Sequence, residues 1–170
     1  MKIPIESSTS YRGRNYRPNW LALGGFIGLA LAVGALGGLF SNSTGPWYAS
    51  LAKPAWTPPD SWFGPVWSIL YVMMGIAAWL VWRERYHRAR NAALFAYATQ
   101  LALNAAWAPV FFGTKNIGAG LLVIVALWLA IAWALREFAV VRSAAAWLLV
   151  PYLGWVSIAA TLNFSIWRHN

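Results

Sequence analysis

Five separated apolar stretches constrain the fold of this chain more than any other feature, because each is close to the length that crosses a bilayer. They run over about 20–40, 63–82, 92–112, 117–135 and 144–167, and a hydrocarbon core of about 30 Å demands roughly 20 such residues as a helix. Backbone amides in lipid have to pair internally, so the stretches read as helices; a membrane barrel would show alternation, and none does. Composition agrees: 60% of the 170 residues are hydrophobic and 10% charged, against about 25% charged in ordinary soluble domains. The expectation is an all-α membrane protein, a five-transmembrane-helix bundle with its N-terminus and C-terminus on opposite sides. The first stretch is too long for the roughly 7–15-residue apolar segment of a signal peptide and reads as a retained span. Residues 1–19, with Ser7, Ser8, Thr9, Ser10, Arg12, Arg14 and Arg17, read as a basic flexible tail outside a single domain over 20–168. Pro151 inside the last stretch predicts a kink or tilt.

The net charge of +9 is distributed as a topology signal. Ten of the thirteen Lys and Arg lie in the tail (Lys2, Arg12, Arg14, Arg17), the second-to-third connection (Arg83, Arg85, Arg88, Arg90) and the fourth-to-fifth (Arg136, Arg142). Only Lys53, Lys115 and Arg168 fall on the other side. For a bacterial inner membrane, the positive-inside rule then places the N-terminus in the cytoplasm and the C-terminus across. No nucleic-acid partner is implied, since these residues flank apolar runs instead of forming a phosphate-binding surface.

Several chemistries are excluded. Cysteine is absent, so there are no disulfides or thiolate sites. The four acidic residues, Glu6, Asp60, Glu84 and Glu137, sit outside the spans or at their ends, which leaves no carboxylate pair for acid–base work. His87 and His169 lie at membrane boundaries and cannot build a haem or metal site inside the bundle. No intramembrane charge is available for ion coupling, and no Gly-rich phosphate loop for ATP-driven pumping. No metal and no cofactor are expected.

The remaining signal is aromatic. Thirteen tryptophans exceed what helix packing needs. The 41–62 connection carries Pro46, Pro54, Pro58 and Pro59 beside Trp47, Tyr48 and Trp56; a stiff, non-helical lid over the bundle and a solvent-side turn in the interfacial aromatic belt both fit. On the third stretch Gln100, Asn104, Trp107 and Phe111 share one helical face. Gln100 reads as bonded to a neighbouring helix and Asn104 as a ligand contact. Trp67, Tyr71, Met74 and Ala78 share a face of the second stretch, and Pro151, Trp155, Ala159 and Leu162 one of the fifth. Ala98, Ala102 and Ala106 form a small-residue ladder opposite the Asn104 face, suited either to packing within the bundle or to another subunit. Gly24/Gly28 and Gly34/Gly38 read as packing within the bundle.

Four motifs in order, Trp47-Tyr48-Ala49-Ser50-Leu51-Ala52-Lys53-Pro54-Ala55-Trp56-Thr57-Pro58-Pro59, Phe63-Gly64-Pro65-Val66-Trp67, Gln100-Leu101-Ala102-Leu103-Asn104-Ala105-Ala106-Trp107 and Thr161-Leu162-Asn163-Phe164, closely resemble the translocator protein family, also called tryptophan-rich sensory proteins or peripheral-type benzodiazepine receptors (TspO/MBR). The resemblance covers the chain from about Trp20 onward. It implies a membrane receptor or sensor binding porphyrin or a similar flat lipophile, with Trp56, Asn104, Trp107 and Trp155 as pocket residues and Tyr48, Tyr71 and Leu162 beside them. It also implies a homodimer, for which Ala98, Ala102 and Ala106 are the candidate surface, and a membrane that is bacterial in a prokaryote or the mitochondrial outer membrane in a eukaryote. One alternative is light-dependent porphyrin breakdown, with Trp56 and Trp155 as the oxidisable groups. Another is sterol or lipid translocation, but the family's sterol pattern appears here as Leu162, Phe164 and Arg168, with phenylalanine in place of the central tyrosine.

Overall fold

The computed structural model describes residues 19–41 and 45–170; the basic-tail reading therefore lies outside the described residues except for Asn19. Six α-helices and one π-helical turn account for nearly all of them, and no strand occurs among the described residues. The helices are α1 (Trp20–Phe40), α2 (Pro46–Ser50), α3 (Asp60–Arg83), α4 (Arg90–Ala108), α5 (Ile117–Val141) and α6 (Ser143–His169), with the π-helical turn at Pro109–Gly113.

Local chemistry sets several boundaries. Asn19 and Asn116 cap α1 and α5, their side-chain oxygens accepting from the amides of Ala22 (3.1 Å) and Ala119 (2.9 Å). Pro109 cannot donate to the α4 ladder, and the chain widens there into the π-helical turn. Lys115 then takes a left-handed conformation (φ 55°) to turn the chain into α5. α6 runs unbroken through Pro151.

Five long helices stand up and down. One end gathers the start of α1, where Trp20 stacks on Trp79 at 6.2 Å, and the Glu84–Arg142 ion pair at 2.9 Å. The other gathers Phe40 and Gly113, Gly118 and Trp167, and Ala52 with Asn170. The described chain thus enters at the arginine-rich end and leaves at the other. Four helices, α1, α3, α5 and α6, are long and apolar enough to cross a membrane. α4 is not among them: its 19 residues include Arg90, Asn91, Gln100 and Asn104, polar groups that make it less apolar than the other four.

The connection expected to be wholly irregular contains α2, a correction to the sequence reading. Pro46 starts this helix at a position where a missing N–H costs nothing. The glycine pairs of α1 also differ from expectation. Gly34 packs against the Tyr71 ring, but no atom lies within 4 Å of where a Cβ would sit on Gly24, Gly28 or Gly38. The close α1–α3 approach is made instead by Gly75 against the backbone of Ile27.

Candidate ligand-binding site

The inward faces of the helices divide at mid-height. Toward the arginine-rich end they fill a core in which Met74, Ala78, Ala93, Ile131, Phe138 and Leu149 have no exposed surface. Toward the other end they surround a cavity of about 460 Å³. The stripes predicted on α3 and α4 point into this interior: Trp67 and Tyr71 line the cavity while Met74 and Ala78 continue into the core, and Asn104, Trp107 and Phe111 line the cavity from the other side.

A hydrogen-bonded triad forms the polar part of the wall. The Tyr71 hydroxyl donates to Asn104 Oδ1 at 2.6 Å, and Asn104 Nδ2 donates to the Tyr152 hydroxyl at 2.9 Å. Away from water such groups must pair, and the two tyrosines hold the Asn104 amide in one orientation. A second polar link lies nearer the lid. Trp107 Nε1 approaches Asn163 Oδ1 at 3.4 Å, and Asn163 Nδ2 donates to the carbonyl of Ile117 at 3.2 Å. The remainder is flat and apolar. Trp107 stacks on Phe111 (5.2 Å between centroids, 16° between planes) and Trp67 on Tyr71 (5.5 Å, 27°), arrangements that present π-faces and edges to whatever enters.

The lid is built on α2. Tyr48 is buried and lines the cavity, and Trp47 meets Phe111 edge-on at 5.6 Å. Lys53 secures the helix end, donating to the Tyr48 carbonyl at 2.6 Å while its ammonium sits 4.6 Å from the Tyr48 ring centroid. The side chain of Asn170 clasps the backbone of Ala52, accepting from its N–H at 3.0 Å and donating to its carbonyl at 3.2 Å. Burial, with the Asp60 carboxylate adding to it, raises the Tyr48 phenol above its ordinary pKa, so the hydroxyl stays a neutral donor.

Of the residues singled out from sequence, Tyr48, Tyr71, Asn104, Trp107 and Leu162 meet at this cavity. Trp56 and Trp155 do not line it: Trp56 is 53% exposed in the lid segment, and Trp155 stands behind Phe63, whose ring it meets edge-on at 5.7 Å. Leu162 faces inward whereas Phe164 and Arg168 are exposed, so the three positions of the sterol pattern do not converge. Ala98 and Ala102 are exposed beside a shallow groove between α1 and α4, and Ala106 is half-buried. Gln100 is fully buried yet makes no hydrogen bond to another helix among the described residues, contrary to expectation.

The cavity also has walls that sequence reasoning did not assign to it. α1 contributes Leu31, Gly34, Ala35, Gly37 and Gly38, and α5 contributes Ile124 and Leu127, so all five long helices line it. Trp67 carried a signal, standing one turn before Tyr71 on the same face. Asn163, a lone amide in an apolar helix, carried another.

Comparison with known proteins agrees with the motifs. A model of the TspO/MBR family matches residues 26–168. The "Tryptophan-rich protein TspO" of Chlorobaculum tepidum is 45% identical over 146 residues, covering 85% of this chain and 92% of that protein. The "Translocator protein" of Homo sapiens is 41% identical over 157 residues, covering 90% and 92%. The "Tryptophan-rich sensory protein" of Cereibacter sphaeroides is 40% identical over 124 residues, covering 73% and 77%. With four membrane-length apolar helices and this family match over most of its length, the chain is a multi-pass membrane protein belonging to the TspO/MBR family.

Proposed function

We propose that this protein is a membrane receptor that holds a flat, apolar, porphyrin-like molecule in the cavity beneath α2, and in that way senses or hands on such molecules. The carrying observation is the wall itself: stacked Trp107–Phe111 and Trp67–Tyr71 pairs beside one oriented amide, in a space of about 460 Å³. Ligand pockets of roughly 300–1,000 Å³, mostly apolar with a few placed polar groups, suit small molecules of this kind. The word "sensory" in the name of the Cereibacter sphaeroides relative supports the reading. A tryptophan-radical enzyme draws less support, because Trp56 and Trp155 are not in the cavity wall.

The same proposal includes five membrane crossings. α4 and its π-helical turn, 19 and five residues long, run the height of the bundle between helices that are themselves membrane-length. The arginine-rich end then faces the cytoplasm and the lid the opposite side. A homodimer would use the exposed Ala98 and Ala102 surface. Tags at the two termini test the crossing number, and finding both on one side removes the five-span reading.

Protoporphyrin titrated into the purified protein is expected to quench tryptophan fluorescence to saturation at one ligand per chain. Asn104→Ala and Trp107→Phe are expected to weaken that binding, whereas Trp56→Phe leaves it close to the parent. Wild-type affinity in both Asn104→Ala and Trp107→Phe would remove the cavity as the site.

A further inference from the structure

One turn deeper than the cavity, the same face of α4 carries polar groups that the ligand reading does not use. Gln100 has no exposed surface, and neither its Oε1 nor its Nε2 finds a protein partner; Tyr97, 3% exposed, has an unpartnered hydroxyl. Tyr97, Gln100 and Asn104 are spaced i, i+3, i+7 and lie one above another on the helix. Tyr152, with no exposed surface, accepts from Asn104 Nδ2, and no acceptor for its own O–H is present among the described residues. The triad that begins at Tyr71 therefore ends on an unused donor.

An unpaired buried amide or hydroxyl costs about 1–3 kcal/mol, and lipid around the bundle offers no hydrogen bond to offset it. Charge cannot resolve the mismatch: Glu84, Arg83 and Arg90 are all at the helix ends. What Gln100, Tyr97 and Tyr152 present together is two amide N–H groups, one amide carbonyl and two hydroxyls. That is the donor and acceptor set of a small molecule that both gives and takes hydrogen bonds, and a buried water makes about three such bonds.

We propose that Tyr97, Gln100 and Tyr152 enclose a water-binding site beneath the cavity floor, occupied by one or two long-lived waters. The water accepts from a tyrosine hydroxyl and from Gln100 Nε2 and donates to Gln100 Oε1, extending the Tyr71–Asn104–Tyr152 chain toward the arginine-rich half. The site does not depend on what the cavity binds.

Radiolytic hydroxyl-radical footprinting tests this on the full-length, ligand-free protein in lipid nanodiscs, because radicals born from a bound water mark the side chains that touch it. Tyr97 is expected to be oxidised several-fold faster than Phe138, after correction for ring reactivity. Phe138 is the internal control: it is fully buried and stacks on Tyr97 at 6.2 Å, but has no polar group. Gln100→Leu is expected to bring Tyr97 down to the Phe138 rate while the cavity residue Trp67 is labelled as before. Equal rates at Tyr97 and Phe138 in the parent overturn the proposal, since Gln100 then pairs directly with a tyrosine in a dry core. Undiminished Tyr97 labelling in Gln100→Leu overturns it as well, because water then reaches the ring by another route. If Gln100→Leu does not fold, the comparison within the parent still decides.

Discussion

At the arginine-rich end Val81, Ala93, Ala134, Phe138 and Ala145 are wholly buried, and alanine after alanine lets the helices close on one another. At the lid end the interior side chains are large rings, Trp67, Trp107 and Phe111, and they stand around space instead of filling it. The same five long helices make both ends. The difference is taught by side-chain size and shape. Small residues permit contact along the whole helix face, whereas flat rings stack in pairs and leave the gap between pairs open. One end supplies stability at native packing density, and the other gives some of it up to keep a site.

The sharpest way to break that contrast is to open a hole in the solid end. Phe138→Ala is expected to cost about 3–5 kcal/mol, the usual range for a fully buried ring, read as a large fall in thermal midpoint in detergent. Protoporphyrin affinity per folded molecule should barely change; an equal loss of affinity would mean that the two ends are not separable. Asn104→Ala is the matching change at the other end. It strands the Tyr71 and Tyr152 hydroxyls, at about 1–3 kcal/mol, and porphyrin titration should show weakened binding along with the lower midpoint. Lys53→Met, which removes a cationic donor from the carbonyl of Tyr48, is expected to cost about 1 kcal/mol. The loss should be confined to the lid and visible as faster amide exchange over α2. Arg142→Ala breaks an ion pair whose partners are about 40% exposed, and its effect on the midpoint should correspond to no more than about 1 kcal/mol. A large effect there would show that the arginine-rich end is held by charge as well as by packing.

The long helices were legible because lipid imposes a length, and length survives without knowledge of packing. Expected and observed bounds of α1 coincide at Trp20–Phe40; α3, α5 and α6 run a few residues further than expected, whereas α4 stops at Ala108 and the π-helical turn completes the stretch. α4 was found by its apolar run, although its polar groups keep it from standing alone as a membrane-length apolar helix. The inward faces of α3 and α4 were legible too, since helical periodicity ties Trp67 to Tyr71 and Asn104 to Trp107. What periodicity cannot show is which residues of different helices meet at the same height. Trp155 shares a face with Leu162 yet stands behind Phe63, and Trp56 belongs to the lid motif yet stands away from the cavity. α2 was hidden by its prolines, which break longer helices but start short ones. The partner of Gln100 was misjudged because burial of an amide says that it must pair, and not with what.

The α1 wall has a consequence for how such a protein can be retuned. Ala30 is the only fully buried residue of α1, and apart from Leu31 the positions that α1 turns to the cavity are glycine or alanine. Gly38 has open space where a side chain would grow. Adding a methyl or isopropyl group there narrows the slot between α1 and the indoles without disturbing the alanine-packed core. The shape of the cavity can therefore drift one carbon at a time along a single helix, while the residues that keep the chain folded stay untouched.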